Sequence, residues 1–177
     1  MVLWKVFYAD WEMECCGTPF PVGAEVRWTL LLTEDADDTW QDCRCEVEGP
    51  VESRGGTAAI IRDGALTALW SEPPWPLPGR ARVTGRLSVH GHGPSPEEVA
   101  PTVGLVRRIQ VVTQGFAEPR TGSRSFAPVP GERWLREVDM CPKWFRREVD
   151  GPERMRSGVG YRRDETGVLV EVGTADW

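Results

Sequence analysis

The sequence contains no asparagine, and lysine, histidine and tyrosine each occur only twice in 177 residues. It has no long hydrophobic run. Apolar stretches such as that around Leu30-Leu31-Leu32 fall far short of the ~20 residues a membrane helix needs. The opening Met-Val-Leu-Trp-Lys-Val-Phe-Tyr-Ala-Asp has no basic stretch, and Lys5 and Asp10 interrupt its apolar character, so no secretory signal is expected. Together these absences predict a cytoplasmic protein without a membrane partner, whose thiols are reduced. The cysteine count is five, and an odd number argues against a disulfide framework.

Standard catalytic signatures are also missing. There is no Gly-x-Gly-x-x-Gly, no phosphate loop, no His-Glu-x-x-His and no Gly-x-Ser-x-Gly. Because both histidines lie in one tetrapeptide, His90-Gly-His92-Gly, any Ser-His or Cys-His couple would have to use that turn.

Lys plus Arg total 21 against 27 Asp plus Glu, a net charge of −6 that speaks against a wholly basic nucleic-acid binder. The acidity is local: residues 1–60 carry 12 acidic and 4 basic groups, whereas residues 61–117 carry 4 and 6. Of the 21 cations 19 are Arg, so an arginine is the default solvent-facing cation and does not by itself signal recognition.

What is present is a succession of short strands between turn residues. Residues 2–8 alternate, with Val2, Trp4, Val6 and Tyr8 on one face. Glu25–Leu32 reads as one strand with Val26, Trp28 and Leu30 inward, and residues 43–52 as another that bends at Gly49-Pro50. Residues 57–64 and Leu66–Trp70 form a hairpin across Asp63-Gly64. A proline-stiffened loop carrying Trp75 leads to Arg80–Val89, where Ala81, Val83, Gly85, Leu87 and Val89 share a face. Val103–Val112 is a further strand, and Gly160–Val172 a closing hairpin. The pattern predicts an all-β fold, a small barrel or sandwich with flanking strands and at most one or two short helices. The expected organisation is a β-rich main domain at 1–116, with a barrel-like and possibly OB-like core at about 43–116. A linker-like loop at 117–131 follows, then a C-terminal segment at 132–177 holding one short helix interrupted at Pro142.

Three constellations could carry chemistry. The first is sulfur. Cys43 and Cys45 share a strand face and could join Cys15 as thiolate ligands of Zn²⁺ or another divalent ion. Adjacent Cys15 and Cys16 point to opposite faces in an extended chain and are not expected to chelate together. The plainer alternative is inert, buried thiols. The second is His90 and His92, which share a face at i and i+2. Their spacing to Glu97 resembles the first metal motif of the cupin β-barrels, although Gly85 stands one residue too close and no histidine remains for the second cupin motif. A resemblance to cupins implies a metal-dependent enzyme using His90 and His92. A solvated histidine pair is the plainer alternative. The third is an arginine face, Arg80, Arg82 and Arg86, with Arg107 and Arg108 on the next strand and Trp70 and Trp75 nearby. Arginine and aromatics on a small barrel make a platform for single-stranded nucleic acid or oligosaccharide. Ordinary solvent-facing arginines are the alternative.

Most of the nine tryptophans should lie in the core, leaving Trp40, Trp75 and Trp177 as candidates for exposure and partner contact. The acidic stretch with Asp35, Asp37 and Asp38 could meet a basic protein surface. These readings converge on a non-catalytic binding or interaction module with no required cofactor, and a metal-dependent enzyme as the competing class.

Ala9-Asp-Trp-Glu-Met-Glu-Cys-Cys-Gly-Thr-Pro-Phe-Pro-Val-Gly-Ala-Glu-Val-Arg-Trp28 resembles the N-terminal motif of an actinobacterial family of uncharacterised proteins, a domain of unknown function. Arg82–Leu87, Gly104–Val112 and Thr166–Val170 resemble it as well. The resemblance implies a cytoplasmic protein from a GC-rich bacterium and carries no activity, substrate or catalytic residue.

Overall fold

A computed structural model describes residues 1–34, 38–53, 58–92, 99–148, 154–156 and 158–175. Its elements run β1 (Val2–Ala9), α1 (Asp10–Cys15), β2 (Glu25–Trp28), β3 (Leu30–Thr33), a 3-10 turn (Asp38–Cys43), β4 (Arg44–Ser53), β5 (Ala59–Asp63) and β6 (Leu66–Trp70). There follow β7 (Arg80–Val89), β8 (Thr102–Ala117), β9 (Ala127–Val138), β10 (Arg154–Arg156) and β11 (Val159–Thr174). The fold is all-β, as the alternation predicts.

Five strands close a barrel. β4, β5 and β6 form an antiparallel meander, β6 pairs with β3 in parallel, and β3 and β4 both pair antiparallel with β7. The Asp63-Gly64 turn joins β5 to β6 as expected, with Gly64 at φ 54°, a backbone region that glycine tolerates. Gly49 and Gly85 let strands approach: a methyl at Gly85 would come within 2.6 Å of the Thr33 carbonyl, and one at Gly49 would run into the carbonyl of Arg62.

The ring differs from the expected 43–116 core. The segment read as one strand over 25–32 breaks at Thr29. Its second half, Leu30–Thr33, enters the barrel, and its first half, Glu25–Trp28, pairs with β8. β8 itself lies outside the ring, in a flanking sheet ordered β2-β8-β11-β1 that joins the barrel where β1 runs parallel to the end of β7. β7 holds both parts together because its first seven residues pair with β4 while Leu87 and Ser88 pair with β1.

The C-terminal third is also strand where a loop and a helix were expected. Ala127–Val138 pairs with β8 over most of its length, so the stretch behaves as an edge strand despite its prolines. Gly160–Val172 is no hairpin. It is the middle of one 16-residue strand that pairs with β1 on one side and β8 on the other. The register shifts between Glu165 and Gly167, leaving Thr166 as a bulge in that strand.

The main core is continuous from the barrel interior (Leu30, Leu32, Val47, Leu66, Val83, Leu87) into the flanking sheet (Trp4, Val6, Val106, Ile109, Val170). Phe7, Cys43, Val112 and Leu169 form a second cluster on the other face of β1. β1 is thus buried on both faces in its middle, which makes it the pillar from which α1 departs. Among the described residues no helix is long and apolar enough to cross a membrane.

Candidate metal centre

The sequence around residues 10–17 gives a helix too short to stand alone, since isolated helices of this length are unstable in water. Packing and side-chain bonds to its ends hold it. Met13 is fully buried. Phe145 N–H donates to Glu14 Oε1 at 3.1 Å, and Arg147 pairs with Asp10 at 2.7 Å. At the other end Lys143 Nζ donates to the carbonyls of Met13 (2.7 Å) and Gly17 (2.9 Å), satisfying acceptors that a helix C-terminus leaves open. A side chain at Gly17 would collide with Met13 and the Tyr8 hydroxyl, so the chain can turn away there only as glycine.

That turn decides the sulfur geometry. Cys15 closes the helix and Cys16 caps it at φ −130°, ψ −11°, so the adjacent cysteines are not extended. Their thiols lie 3.0 Å apart on the same side, where an extended chain would have separated them. The loop after β7 brings His92 to the pair, with Nε2 3.0 Å from Cys16 Sγ. Cys15 Sγ, Cys16 Sγ and an imidazole nitrogen of His92 all lie within 4.8 Å of one another, a spacing that could hold one metal ion. Both cysteines are exposed, and the Trp11 ring stands 5.4 Å from the imidazole.

Behind the imidazole lies Glu12, only 4% exposed. Its Oε1 accepts the Gly91 N–H at 3.1 Å and stands 3.8 Å from His92 Nδ1. Glu12 Oε2 and His92 Nδ1 are both buried without a hydrogen-bond partner. Buried polar atoms left in this state are uncommon and costly, so the pair is poised to close.

The Cys16 thiol is pushed above its ordinary value. The hydrogen bond with Cys15 is the largest influence raising the Cys16 pKa, followed by desolvation, with Lys143 opposing. Tyr8, below the site, is raised chiefly by burial and then by Glu12.

The other sulfur candidates do not converge here. Cys43 is buried in the second cluster, where burial raises its thiol, and Cys45 bonds the Lys5 backbone. Cys141, fully buried, is pushed up to about 12 by desolvation. His90 follows the end of β7 and donates its backbone N–H to Thr29, and it is not in the cluster. The shared face expected for His90 and His92 is lost because the strand stops at Val89. Glu97, Asp35, Asp37 and Trp177 lie outside the described residues.

The arginine face is largely engaged. Arg82 pairs with Glu48 and Glu46, and Arg80 with Glu48, across the β4–β7 ladder. These bonds, Arg82 first, hold Glu48 below the usual carboxylate range. Arg86 lies over the Trp40 ring at 4.2 Å, so Trp40 is half-buried. Trp70 is a core residue whose Nε1 donates to Glu34 at 2.8 Å, whereas Trp75 is 60% exposed. Trp70 and Arg82 do share one shallow cleft, but Glu34 and Glu72 line it too, which gives it an acidic wall. Arg107 lies on a different surface, beside Met1.

Sequence reasoning set Cys16 aside as a joint ligand with Cys15, on the premise of an extended chain, and did not bring Glu12 to the site. The one local signal was Gly17, which ends the helix and lets the chain leave the extended conformation at the two cysteines.

Fold and site together define an all-β protein with a five-stranded barrel and a cysteine–cysteine–histidine cluster where the flanking sheet meets it. The chain belongs to the family of unknown function DUF6578, which matches residues 2–174. No curated protein and no solved structure matches it.

Proposed function

We propose that this protein is a metal-binding module that takes one thiophilic divalent cation, zinc in the first instance, through Cys15 Sγ, Cys16 Sγ and His92 Nε2. The observation that carries this is the convergence of those three atoms in front of a buried carboxylate with an unpaired oxygen. Two thiolates and one imidazole suit Zn²⁺, and three protein ligands leave a fourth position for water or an exogenous ligand. Binding at Nε2 fixes the proton on Nδ1, which then donates to Glu12. This carboxylate–histidine–metal relay is the usual support of a metal-bound imidazole. The reading replaces the pairing of His90 with His92 by one of His92 with the two thiols, and it retains the view of the protein as a binding module.

Cobalt substitution tests it. Reduced, tag-free protein titrated with Co²⁺ is expected to bind one equivalent, with sulfur-to-cobalt charge-transfer absorption and visible bands of tetrahedral intensity. Cys15→Ser, Cys16→Ser and His92→Gln should each abolish or strongly weaken those bands, and Cys45→Ser should not. Absence of thiolate bands in the reduced wild-type protein overturns the proposal, as does survival of the bands in both cysteine variants. A shift of the visible bands on adding azide would place an exogenous ligand in the open position.

A further inference from the structure

We propose a second site, independent of the metal centre: a cleft between barrel and flanking sheet that binds a small monocarboxylate with an apolar body, held through Arg107. The cleft is a cavity of about 660 Å³, within the ~300–1,000 Å³ typical of small-molecule sites. It opens between the β5–β6 turn and the ends of β2, β8 and β11. Those parts are clasped at its base by Thr102 Oγ1, which accepts the Thr67 N–H and donates to the Thr67 carbonyl, both at 2.9 Å.

Its walls are apolar and its floor is bare backbone. Ala65 and Ala100 are small, Leu105 is 38% exposed, and Gly104 and Gly173 contribute no side chain. A methyl on Gly173 would stand 3.0 Å from Met1 Sδ and 3.1 Å from Arg107 Nε, so the space under the guanidinium exists because that residue is glycine.

Arg107 is aimed there by an irregularity in the sheet. Along β8 and β11, Val106 pairs with Val172 and Arg108 with Glu171, so Arg107 is the extra residue of a β-bulge. Bulges re-aim one side chain out of the ladder and recur beside functional sites. The two neighbouring arginines are treated differently. Arg108 makes two bonds to Glu137, at 2.9 and 2.7 Å, and approaches Glu171 at 3.9 Å. Arg107 meets only the sulfur of Met1, at 3.2 Å, and forms no ion pair with a described residue. A guanidinium turned over an apolar cavity without a carboxylate partner presents a fork that matches a carboxylate.

The charge class follows from the same wall. Glu25 lies opposite Leu105 in the β2–β8 register and lines the cleft as well. A carboxylate in the wall disfavours a second negative charge on the ligand, as in a phosphate monoester. The indole N–H of Trp4 donates to Thr174 Oγ1 at 3.0 Å, and Thr174 lines the cleft, which supplies a built-in reporter.

The experiment is a proton–nitrogen NMR titration of the full chain with octanoate, octanol and hexyl phosphate. Octanoate is expected to shift the Trp4 indole and the Gly104 and Gly173 amides saturably, with octanol at least ~10-fold weaker through loss of a charge-assisted hydrogen bond, and hexyl phosphate weaker through its second negative charge. Arg107→Gln should weaken octanoate by ~10-fold or more with an unchanged melting temperature. Gly173→Ala, which fills the space under the guanidinium, should weaken it too and serves if Arg107→Gln does not fold. Equal binding of octanoate and octanol, tighter binding of the phosphate, wild-type affinity in Arg107→Gln, or no saturable shift would each overturn the proposal.

Discussion

His92 Nδ1 stands 3.8 Å from Oε1 of Glu12, a carboxylate buried to 4% exposure behind the imidazole. The gap is too long for a hydrogen bond and short enough to close by a small ring rotation. Metal binding at Nε2 would drive that closure. Glu12→Gln is therefore expected to lower metal affinity ~10–100-fold while leaving one site per chain, because the amide still accepts the Gly91 N–H but orients the imidazole less well. Competition with a chromophoric chelator measures this, and an unchanged affinity would remove Glu12 from the site.

The second expectation concerns thiol reactivity. Cys15 and Cys16 are exposed, Cys45 is intermediate, and Cys43 and Cys141 are buried. Thiolate is the reactive form, and desolvation that pushes Cys141 to about 12 keeps it protonated. A disulfide reagent applied to the native protein should titrate two thiols in a fast phase and the rest only on unfolding. One equivalent of Zn²⁺ should suppress the fast phase alone. Fast reaction of Cys141 or Cys43, followed by peptide mapping, would contradict the packing described above.

Much of the fold was legible because its strands obey a period of two. Val83, Gly85, Leu87 and Val89 alternate inward as read, since each faces the barrel interior. The failures share one cause: pairing partners far away in sequence override local signals. Ala127–Val138 carries prolines and glycine that read as a linker, yet an edge strand tolerates them because only one side of it needs N–H donors. Thr29 ends one pairing and begins another with no glycine or proline to mark it. At the site, His92 was visible as a candidate, but its partners were not. Joining residues 15 and 92 requires knowing that β7 runs beside β1, a contact no local pattern encodes.

Acid should destabilise the wall that holds α1. Glu165 is 3% exposed, and its carboxylate accepts the Arg146 N–H (2.8 Å), the Arg146 guanidinium (3.0 Å) and Arg136 (3.0 Å). Burial works to raise its pKa, but these donors outweigh burial and hold it below the usual carboxylate value. The folded value lies below the unfolded one of about 4.3. The contribution is therefore fully present above that pH and is lost as pH falls through the folded value. Both guanidiniums are more than half exposed, which weakens them by solvent screening. Glu165→Gln is expected to cost about 1–3 kcal/mol at neutral pH and to flatten the acid limb of the stability profile. Urea unfolding at a series of pH values reads both, and an unchanged acid limb would assign that limb to other carboxylates.

Trp40 sets the last expectation, because it explains an arginine that the sequence offers as a ligand contact. The indole meets Phe7 edge-on at 4.9 Å and carries two guanidiniums over its ring, Arg86 at 4.2 Å and Arg133 at 4.1 Å. This packing ties the 3-10 turn to β7 and β9. Each guanidinium on an aromatic face contributes ~0.5–1 kcal/mol at partly exposed positions. Trp40→Ala should destabilise by about 2–4 kcal/mol, less than a fully buried tryptophan because the ring is only half-covered. A double-mutant cycle of Arg86→Ala with Trp40→Ala should return a coupling of ~0.5–1 kcal/mol. Coupling near zero would release Arg86 from this structural role.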